Sequence, residues 1–238
     1  MIGWDEWRPV YFDIVKKLNL DTSKDYEATL LLSELLKDVD SSPLLDGLQK
    51  KIHGNIVVVC GAGPSLQSHI QSIKSHSRFD ELVIIAADGA VSALMEQEIH
   101  CDFIATDLDG KIEHIIEASE MGTISIVHAH GDNIDRVKRY VPILRSVLGS
   151  TQVEPCENVF LWGGFTDGDR ACHIVSDYSP REIILAGMDF GDIVGKWSKP
   201  SHDEHFLADR RKKIKLEIAQ GLVSQLFQRT NIPHTIMD

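Results

Sequence analysis

Two hydrophobic patterns divide the chain near residue 52. Over the first 52 residues, apolar side chains such as Trp7, Tyr11 and Ile14 recur every three or four positions, which is typical of amphipathic helices. Beyond that point, short apolar runs alternate with longer amphipathic segments, which is typical of strands joined by helices. The patterns predict a small helical N-terminal cap over residues 1–52 and an α/β domain over residues 53–238.

The α/β domain is predicted to hold a parallel sheet with helical connections. Strand-like apolar runs lie at residues 56–60, 82–87, 103–106, 123–127, 159–162 and 183–186. Helices are predicted at residues 64–74, 90–98, 112–120, 133–147, 168–178 and 203–228, with a terminal strand at 234–237. Connections of this length suit crossover helices, which join parallel strands. The predicted fold class is α/β, with a Rossmann-like, mostly parallel sheet flanked by helices.

Composition excludes several classes of partner. The 238 residues include 36 acidic and 24 basic side chains, giving a formal net charge of −12. Nucleic acids and anionic membranes are bound by basic surfaces, so neither is expected here. The apolar runs are too short to span a bilayer, and residues 1–6 lack the features of a signal peptide. We expect a cytoplasmic protein that binds small molecules as a monomer or a homodimer.

Glycine-rich runs follow the first two predicted strands. Residues 61–65, Gly-Ala-Gly-Pro-Ser, stand between a strand and a helix, where free backbone N–H groups favour a phosphate. The run lacks the third glycine of a dinucleotide fingerprint and the lysine of a P-loop, and a tight turn would use the same glycines. Asp88 ends the second strand, where it suits a nucleotide ribose or a helix cap. The candidate nucleotide-binding residues are Gly61, Gly63, Ser65, Asp88 and Gly89.

Two carboxylates follow the third predicted strand. Asp107 and Asp109 are two positions apart, so both project into one site if the chain is extended. Close carboxylates repel each other unless a cation or a proton is present, and Mg²⁺ bridging phosphate oxygens supplies one. Asp132, after the fourth strand, would complete the acidic cluster. The pattern predicts a nucleotide–metal site, with a solvated acidic turn as the alternative.

Residues 128–133, His-Ala-His-Gly-Asp-Asn, allow two interpretations. Their spacing matches the HxHxD motif of metallo-β-lactamase-type zinc hydrolases. That motif continues with a histidine, where this chain has Asn133, and an alternating α/β chain is not the architecture of that fold. We therefore favour His130 and Asn133 as hydrogen-bonding ligands of a substrate and leave zinc as the alternative.

Charged residues also mark the starts of two later helices. Within the glycine-rich run 163–170, Arg170 is a candidate phosphate clamp, and Asp167 and Asp169 are candidate substrate ligands. A capped helix with a surface ion pair would show the same residues. A basic run opens the last predicted helix, where it forms either a solvated face or a contact to a polyphosphate; it consists of Arg210, Arg211, Lys212, Lys213 and Lys215.

Together and in this order, these runs resemble the archaeal 6-hydroxymethyl-7,8-dihydropterin pyrophosphokinase family. The matching runs are GAGPSL, AADGA, DFIATDLDG, HAHGDN and GGFTDGDRA, within residues 52–195. Residues 87–89 and 102–109 are more distantly similar to thiamine pyrophosphokinases, in which an Asp-x-Asp run binds magnesium and ATP phosphates. Here Gly110 replaces a serine and Thr106 a glycine of that run. GAGPSL also occurs in bacterial proteins linked to flagellin glycosylation.

The resemblance implies transfer of diphosphate from ATP to the hydroxymethyl group of a reduced pterin, with release of AMP, in methanopterin or folate-type coenzyme synthesis. It implies Mg²⁺ held by Asp107 and Asp109, with Asp132 or Asp88 as a further ligand. Phosphates would contact the glycine run 61–65 with assistance from Arg170. Thiamine pyrophosphokinase, a nucleotide-sugar transferase and a non-catalytic nucleotide-binding module remain as alternatives.

Overall fold

An eight-stranded sheet with helices on both faces forms the body of the protein in a computed structural model that describes residues 1–237. The strands are β1 (Ile56–Cys60), β2 (Val83–Ala87), β3 (Phe103–Thr106), β4 (Ile124–Ala129), β5 (Val147–Thr151), β6 (Val159–Phe160), β7 (Glu182–Ala186), β8 (Ile193–Val194), β9 (Phe206–Leu207) and β10 (His234–Ile236). The sheet order is β10-β7-β1-β2-β3-β4-β5-β6, and its neighbours pair in parallel. Strands β8 and β9 form a separate antiparallel hairpin.

The helices cover the sheet in two layers. They are α1 (Trp4–Leu18), α2 (Thr22–Leu36), α3 (Ser42–Ile52), α4 (Leu66–Lys74), α5 (Ala90–Met95), α6 (Ile112–Glu120), α7 (Ile134–Tyr140), α8 (Asp167–Ser176) and α9 (Arg210–Thr230). One core lies between the sheet and helices α2 and α4–α7, and the other between the sheet and α3, α8 and α9. In the part of the chain described, no helix is both long and apolar enough to cross a membrane.

Strand β1 shows why both faces are covered. Alternate residues of a strand point to opposite faces, so Val58 and Cys60 enter one core while Val57 and Val59 enter the other. Because all four side chains are apolar and buried, neither face of the strand can meet water, and helices must pack on both. The predicted α/β class and parallel sheet are confirmed.

The predicted strands are confirmed to within two residues, but two connections were wrong. The helix predicted to end at residue 147 ends at Tyr140, and residues Val147–Thr151 form β5. The helix predicted from residue 203 begins at Arg210, because the Asp209 side chain caps it by accepting the Lys212 N–H at 2.7 Å. The residues before it form the β8–β9 hairpin and a 3₁₀ turn.

The three N-terminal helices pack onto the sheet layers. Leu32 of α2 belongs to one core and Leu48 of α3 to the other. On α1, Trp7 is buried and its Nε1–H donates to the Gln152 carbonyl at 2.9 Å. Helix α3 ends at Ile52 and β1 begins at Ile56, and a domain boundary between residues 52 and 53 stays a proposal.

Candidate active site

A cavity of about 340 Å³ lies at the carboxyl edge of the sheet. The parallel arrangement brings the loops after β1, β2, β3, β4 and β7 to this edge, and the starts of α2 and α9 form further walls. The predicted residues that line the cavity are Gly61, Gly63, Asp88, Gly89, Asp107, Asp109, His130, Asp132 and Asp167. The predicted residues outside its lining are Ser65, Asn133, Asp169 and Arg170.

Asp88, Asp107 and Asp109, here called the acidic trio, converge at this edge. One carboxylate oxygen of each lies within 4.8 Å of the others. Asp88 Oδ2 accepts the backbone N–H groups of Asp109 and Gly110, each at 3.0 Å. Asp88 Oδ1 is buried without a hydrogen-bond donor in the described chain. An unpaired buried carboxylate oxygen is costly, so the trio has room and need for a cation.

A tight turn after β3 sets the orientation of Asp107 and Asp109. Leu108 is buried and has a left-handed backbone with φ of 63°, which is unusual for a leucine. The Thr106 Oγ1 accepts the Leu108 N–H at 2.8 Å, and Asp107 Oδ1 accepts the Asp109 N–H at 3.2 Å. A Cβ at Gly110 would lie 2.5 Å from Asp88 Oδ1. Glycine at that position therefore makes room for the carboxylate of the neighbouring strand.

The pKa values of the carboxyl groups in the cavity are shifted in opposite directions. Burial, followed by the charges of Asp107 and its neighbours, raises the pKa of Asp88 and of Asp167 well above the usual value. Burial also opposes ionisation of Asp107, but the hydrogen bond and charge of His130 outweigh it and lower the pKa of Asp107; His130 Nε2 lies 3.3 Å from Asp107 Oδ2. A divalent cation would favour ionisation of the whole cluster.

A contact of His128 to Arg170 weighs against the zinc alternative for His128 and His130. Burial and the neighbouring Arg170 hold the pKa of His128 well below its usual value, and His128 Nε2 accepts a hydrogen bond from Arg170 Nη2 at 3.0 Å. Among residues 1–237, the side chains close enough together to hold a metal ion are those of the acidic trio, and no histidine belongs to that group. The geometry favours an oxygen-only site.

Asn133, predicted as a substrate ligand, is buried outside the cavity lining and supports the site through hydrogen bonds. It is 1% exposed. Its Nδ2 donates to the carbonyl oxygens of Asp107 and His128 at 2.8 and 2.7 Å, and its Oδ1 accepts the His130 N–H at 2.9 Å. Because these bonds occupy the amide, Asn133 holds the loops after β3 and β4 together.

Asp169 and Arg170 also hydrogen-bond within the protein and lie outside the cavity lining, so their predicted contacts to substrate and phosphate have no support from the structure. Asp169 closes a capping box with Thr166 at the start of α8 and accepts the Phe165 N–H at 2.6 Å. Arg170 is fully buried and donates to the Gly163 carbonyl at 3.2 Å, as well as to His128. Both side chains lie behind the cavity wall, whereas Asp167 faces the cavity.

The glycine run after β1 is a packed turn. The N–H groups of Gly61 and Gly63 donate to carbonyls of the β7 end, Ala186 and Gly187, at 2.8 and 2.9 Å. The Ser65 N–H donates to Asp189 Oδ2 at 3.1 Å. A Cβ at Gly63 would lie 2.0 Å from Asp189 Oδ2 and 2.6 Å from the Gly187 carbonyl. The turn lines the cavity, but the N–H groups expected to bind phosphate already have partners.

Two further walls of the cavity carry residues that the sequence analysis did not assign to the site. The start of α2 and the turn before it contribute Asn19, Leu20, Asp21, Lys24 and Asp25. A second group, here called the basic wall, consists of Lys199, Arg211, Lys212 and Lys215. The basic run of α9 was visible in the sequence, but the α2 residues gave no local signal.

Asp25 joins the N-terminal helices to the sheet edge. It is 4% exposed, and its Oδ2 accepts from Tyr11 Oη at 2.7 Å and from Gln152 Nε2 at 2.8 Å. Its Oδ1 accepts the Gly131 N–H at 2.7 Å. Burial and the bond to Asp25 raise the pKa of Tyr11, which keeps its hydroxyl a donor. One carboxylate thereby fixes α1, α2 and the loops after β4 and β5.

Proteins of similar sequence match nearly the whole chain. The 6-hydroxymethyl-7,8-dihydropterin pyrophosphokinase of Methanocaldococcus jannaschii is 39% identical over 234 residues, covering 95% of this chain and 97% of that protein. The protein of the same name from Pyrococcus furiosus is 41% identical over 223 residues, covering 94% of each.

A solved structure, the MAf glycosyltransferase from Magnetospirillum magneticum AMB-1, is 18% identical with a TM-score of 0.45. It matches 76% of this chain, which spans 35% of the length of that protein. Residues 32–195 match the family described as 6-hydroxymethylpterin diphosphokinase MptE-like. Since this match covers more than half of the chain and the relatives match nearly all of it, the chain belongs to the 6-hydroxymethylpterin diphosphokinase MptE-like family.

Proposed function

We propose that this chain is a Mg²⁺-dependent pyrophosphokinase. It transfers a diphosphate from ATP to the hydroxymethyl group of 6-hydroxymethyl-7,8-dihydropterin and releases AMP. The observation that carries the proposal is the acidic trio at the carboxyl edge of a parallel sheet, with an unpaired carboxylate oxygen on Asp88. The names of relatives that match more than nine tenths of the chain supply the pterin as acceptor.

The donor set of the acidic trio fits magnesium. Asp88, Asp107 and Asp109 offer only oxygen ligands, which a hard divalent cation prefers. When bound, the cation would neutralise charge that develops on the phosphoryl oxygens. His130 orients Asp107 through its contact to Oδ2, and the turn at Leu108 orients Asp107 and Asp109.

The chemistry itself is an in-line displacement at phosphorus. The hydroxyl oxygen of the acceptor attacks the β-phosphorus of ATP while the bond from that phosphorus to the α–β bridging oxygen breaks, and AMP leaves. Little covalent chemistry is required of the protein, so positioning and charge compensation dominate. The acidic trio and the basic wall line the same cavity and together are suited to this task.

Two of the predicted substrate ligands, His130 and Asp167, line the cavity. Asp132, predicted as a further metal ligand, also lines the cavity but is not part of the acidic trio. The pterin edge presents neighbouring donors and acceptors, which carboxylates can pair with. We assign the acceptor to the side of the cavity near Asp132 and the start of α2, where the Gly131 N–H donates to Asp25.

The test is formation of AMP from ATP and Mg²⁺ by the purified chain. We expect AMP with 6-hydroxymethyl-7,8-dihydropterin and none with its 6-methyl analogue, which lacks the attacking hydroxyl. EDTA should stop the reaction, and Mg²⁺ should restore it better than Zn²⁺. AMP formation with thiamine but not with the pterin, or zinc retained at one ion per chain, would overturn the proposal.

A further inference from the structure

The first turns of α9 direct only part of their basic run into the cavity. Arg211, Lys212 and Lys215 line it. Arg210 is exposed outside the lining, and Lys213 points outward to Asp192, with its Nζ 2.7 Å from Asp192 Oδ1. Positions 211, 212 and 215 share one helical face. A solvated charged face would not concentrate cations on the concave side.

Lys212 is the most enclosed of these cations. It is partly buried, and within residues 1–237 no carboxylate lies at ion-pair distance from its ammonium group. Burial, followed by the charges of Lys199 and Lys215, lowers the pKa of Lys212. Lys215 Nζ lies over the Phe165 ring, 5.9 Å from the ring centroid. Unpaired ammonium groups gathered in a cavity are unfavourable until an anion joins them.

Lys199 connects the basic wall to the acidic trio. It follows the 3₁₀ turn Lys196–Ser198 and forms an ion pair with Asp109 Oδ2. The lysine therefore lies between the unpaired cations of α9 and a carboxylate of the candidate cation site.

We propose that the triphosphate of the nucleotide binds on Lys199, Lys212 and Lys215, beside the acidic trio, instead of on the glycine turn after β1. When the nucleotide enters with its divalent cation, Lys199 exchanges the Asp109 carboxylate for a phosphate oxygen. The proposal rests on the proposed function only in taking a nucleoside triphosphate as substrate. The glycine turn is a poor competitor because the N–H groups of Gly61, Gly63 and Ser65 already donate to the end of β7 and the loop after it.

Calorimetric titration with Mg²⁺ and α,β-methylene-ATP, in which the cleaved bond is blocked, tests the site. Lys212→Met keeps the aliphatic stem and removes the charge. We expect its affinity to fall about tenfold or more, the loss of a charge-assisted hydrogen bond. Lys213→Met, one residue along and directed outward, should stay within about twofold of the parent.

Ser65→Ala tests whether the side-chain hydroxyl of the glycine turn contributes to phosphate binding. Its affinity for the analogue should stay within about twofold of the parent, since the proposed site does not use the hydroxyl. Circular dichroism confirms that each variant is folded. Unchanged affinity in folded Lys212→Met, or a tenfold loss in Ser65→Ala, would overturn the proposal.

The proposed exchange of Asp109 for phosphate at Lys199 can also be tested in the absence of nucleotide. Mn²⁺ prefers the same oxygen ligands as Mg²⁺, and electron paramagnetic resonance measures its binding. We expect Lys199→Met to bind Mn²⁺ several-fold more tightly, because a competing ammonium leaves Asp109, and the nucleotide analogue more weakly. Lys213→Met should change neither. Equal Mn²⁺ affinity in Lys199→Met and the parent would contradict the exchange.

The test of the triphosphate subsite does not depend on which acceptor the protein uses. If the parent chain makes no AMP with the pterin but loses analogue affinity in Lys212→Met, the proposed function fails and the triphosphate subsite stands. If the parent makes AMP with the pterin while Lys212→Met binds the analogue normally, the function stands and the subsite fails.

Discussion

The carboxyl groups at the sheet edge differ in how many hydrogen bonds the protein gives them. Asp169 has both oxygens occupied by the start of α8, whereas Asp88 has one oxygen occupied and one without a donor among the described residues. Asp107 shares one oxygen with His130. Chemical roles follow these differences, because a carboxylate whose lone pairs are already used has little left for a ligand.

Asp107→Asn should abolish turnover with little change in stability. The amide can still accept the Asp109 N–H, but it brings no negative charge to a cation. We expect kcat to fall by at least about a hundredfold and the free energy of unfolding to change by less than about 1 kcal/mol. Steady-state AMP formation and urea unfolding measure the two. The exposed Asp135→Asn is the control, and near-normal turnover of Asp107→Asn at saturating Mg²⁺ would contradict the prediction.

Asn133→Ala should act through stability. The change removes three hydrogen bonds of a buried amide, and we expect the free energy of unfolding to fall by about 2–4 kcal/mol. Denaturant unfolding measures this, with the exposed Gln220→Ala as the matched control. A raised KM for the pterin in a variant of unchanged stability would instead show that Asn133 binds substrate.

Residue types at strand ends were predictable from the sequence, but their partners were not. The acidic pair Asp107 and Asp109 was recognisable because two carboxylates follow an apolar run. The sequence made Arg170 an equally good candidate for a phosphate contact. In the structure its side chain is buried and donates to His128 and to the Gly163 carbonyl. Whether a charged side chain is already satisfied depends on residues distant in sequence, which local motifs do not reveal.

Among the elements, β5 shows the limit of hydrophobic patterns. Its last residues, Ser150 and Thr151, are polar yet fully buried. Thr151 Oγ1 lies 2.7 Å from Thr29 Oγ1 of α2, so hydrogen bonds replace the apolar packing that marks other strands. A strand with polar buried residues gives a weak periodic signal, whereas the fully apolar β1 and β2 were identified at once.

Helix α2 should depend on Asp25 for its position. Asp25→Ala leaves Tyr11 Oη, Gln152 Nε2 and the Gly131 N–H without their acceptor. Buried donors left unpaired are costly, and we expect the free energy of unfolding to drop by about 2–4 kcal/mol. Urea unfolding measures the change. Asp13→Ala on α1, whose ion pair with Lys17 is exposed, should cost less than about 1 kcal/mol; equal losses in the two variants would refute the role of Asp25.

Over the whole molecule, a net charge of −12 coexists with a cavity that concentrates basic residues on one wall. The overall charge led us to expect no nucleic-acid ligand, and it gave no sign that basic side chains gather locally in the cavity. The parallel sheet was predictable because strands alternate with helices. The placement of β7 beside β1 was not, since strand order depends on tertiary packing.

Global stability should fall on acidification through the buried histidines. Burial and the neighbouring Arg170 and Arg229 lower the pKa of His173, which is 6% exposed, to about 3. Below the unfolded pKa of about 6.5, the unfolded chain binds a proton that the folded chain refuses. The unfolding free energy then decreases as pH falls, by up to about 1.4 kcal/mol per pH unit for this group, down to pH near 3.

His173→Gln should flatten this dependence. Urea unfolding between pH 4 and 6.5 measures the slope of the free energy of unfolding against pH, and the exposed His100→Gln serves as control. The raised pKa values of Asp88 and Asp167 act oppositely, lowering stability as pH rises above about 4, but they are common to all variants and cancel in the comparison. Equal slopes in His173→Gln and the parent would refute the assignment.

The order of the strands also sets a sequence of events on the ribosome. Strands β1 to β6 stand side by side in the order in which they are synthesised, so the nascent sheet grows in one direction. The other side of β1 waits for β7, which begins at Glu182, long after β1 has ended at Cys60. During that interval an apolar strand presents an open edge, which is a template for wrong pairing with other chains. Release of the chain before β7 would therefore favour aggregation, and slow translation of this stretch would increase the demand for chaperones.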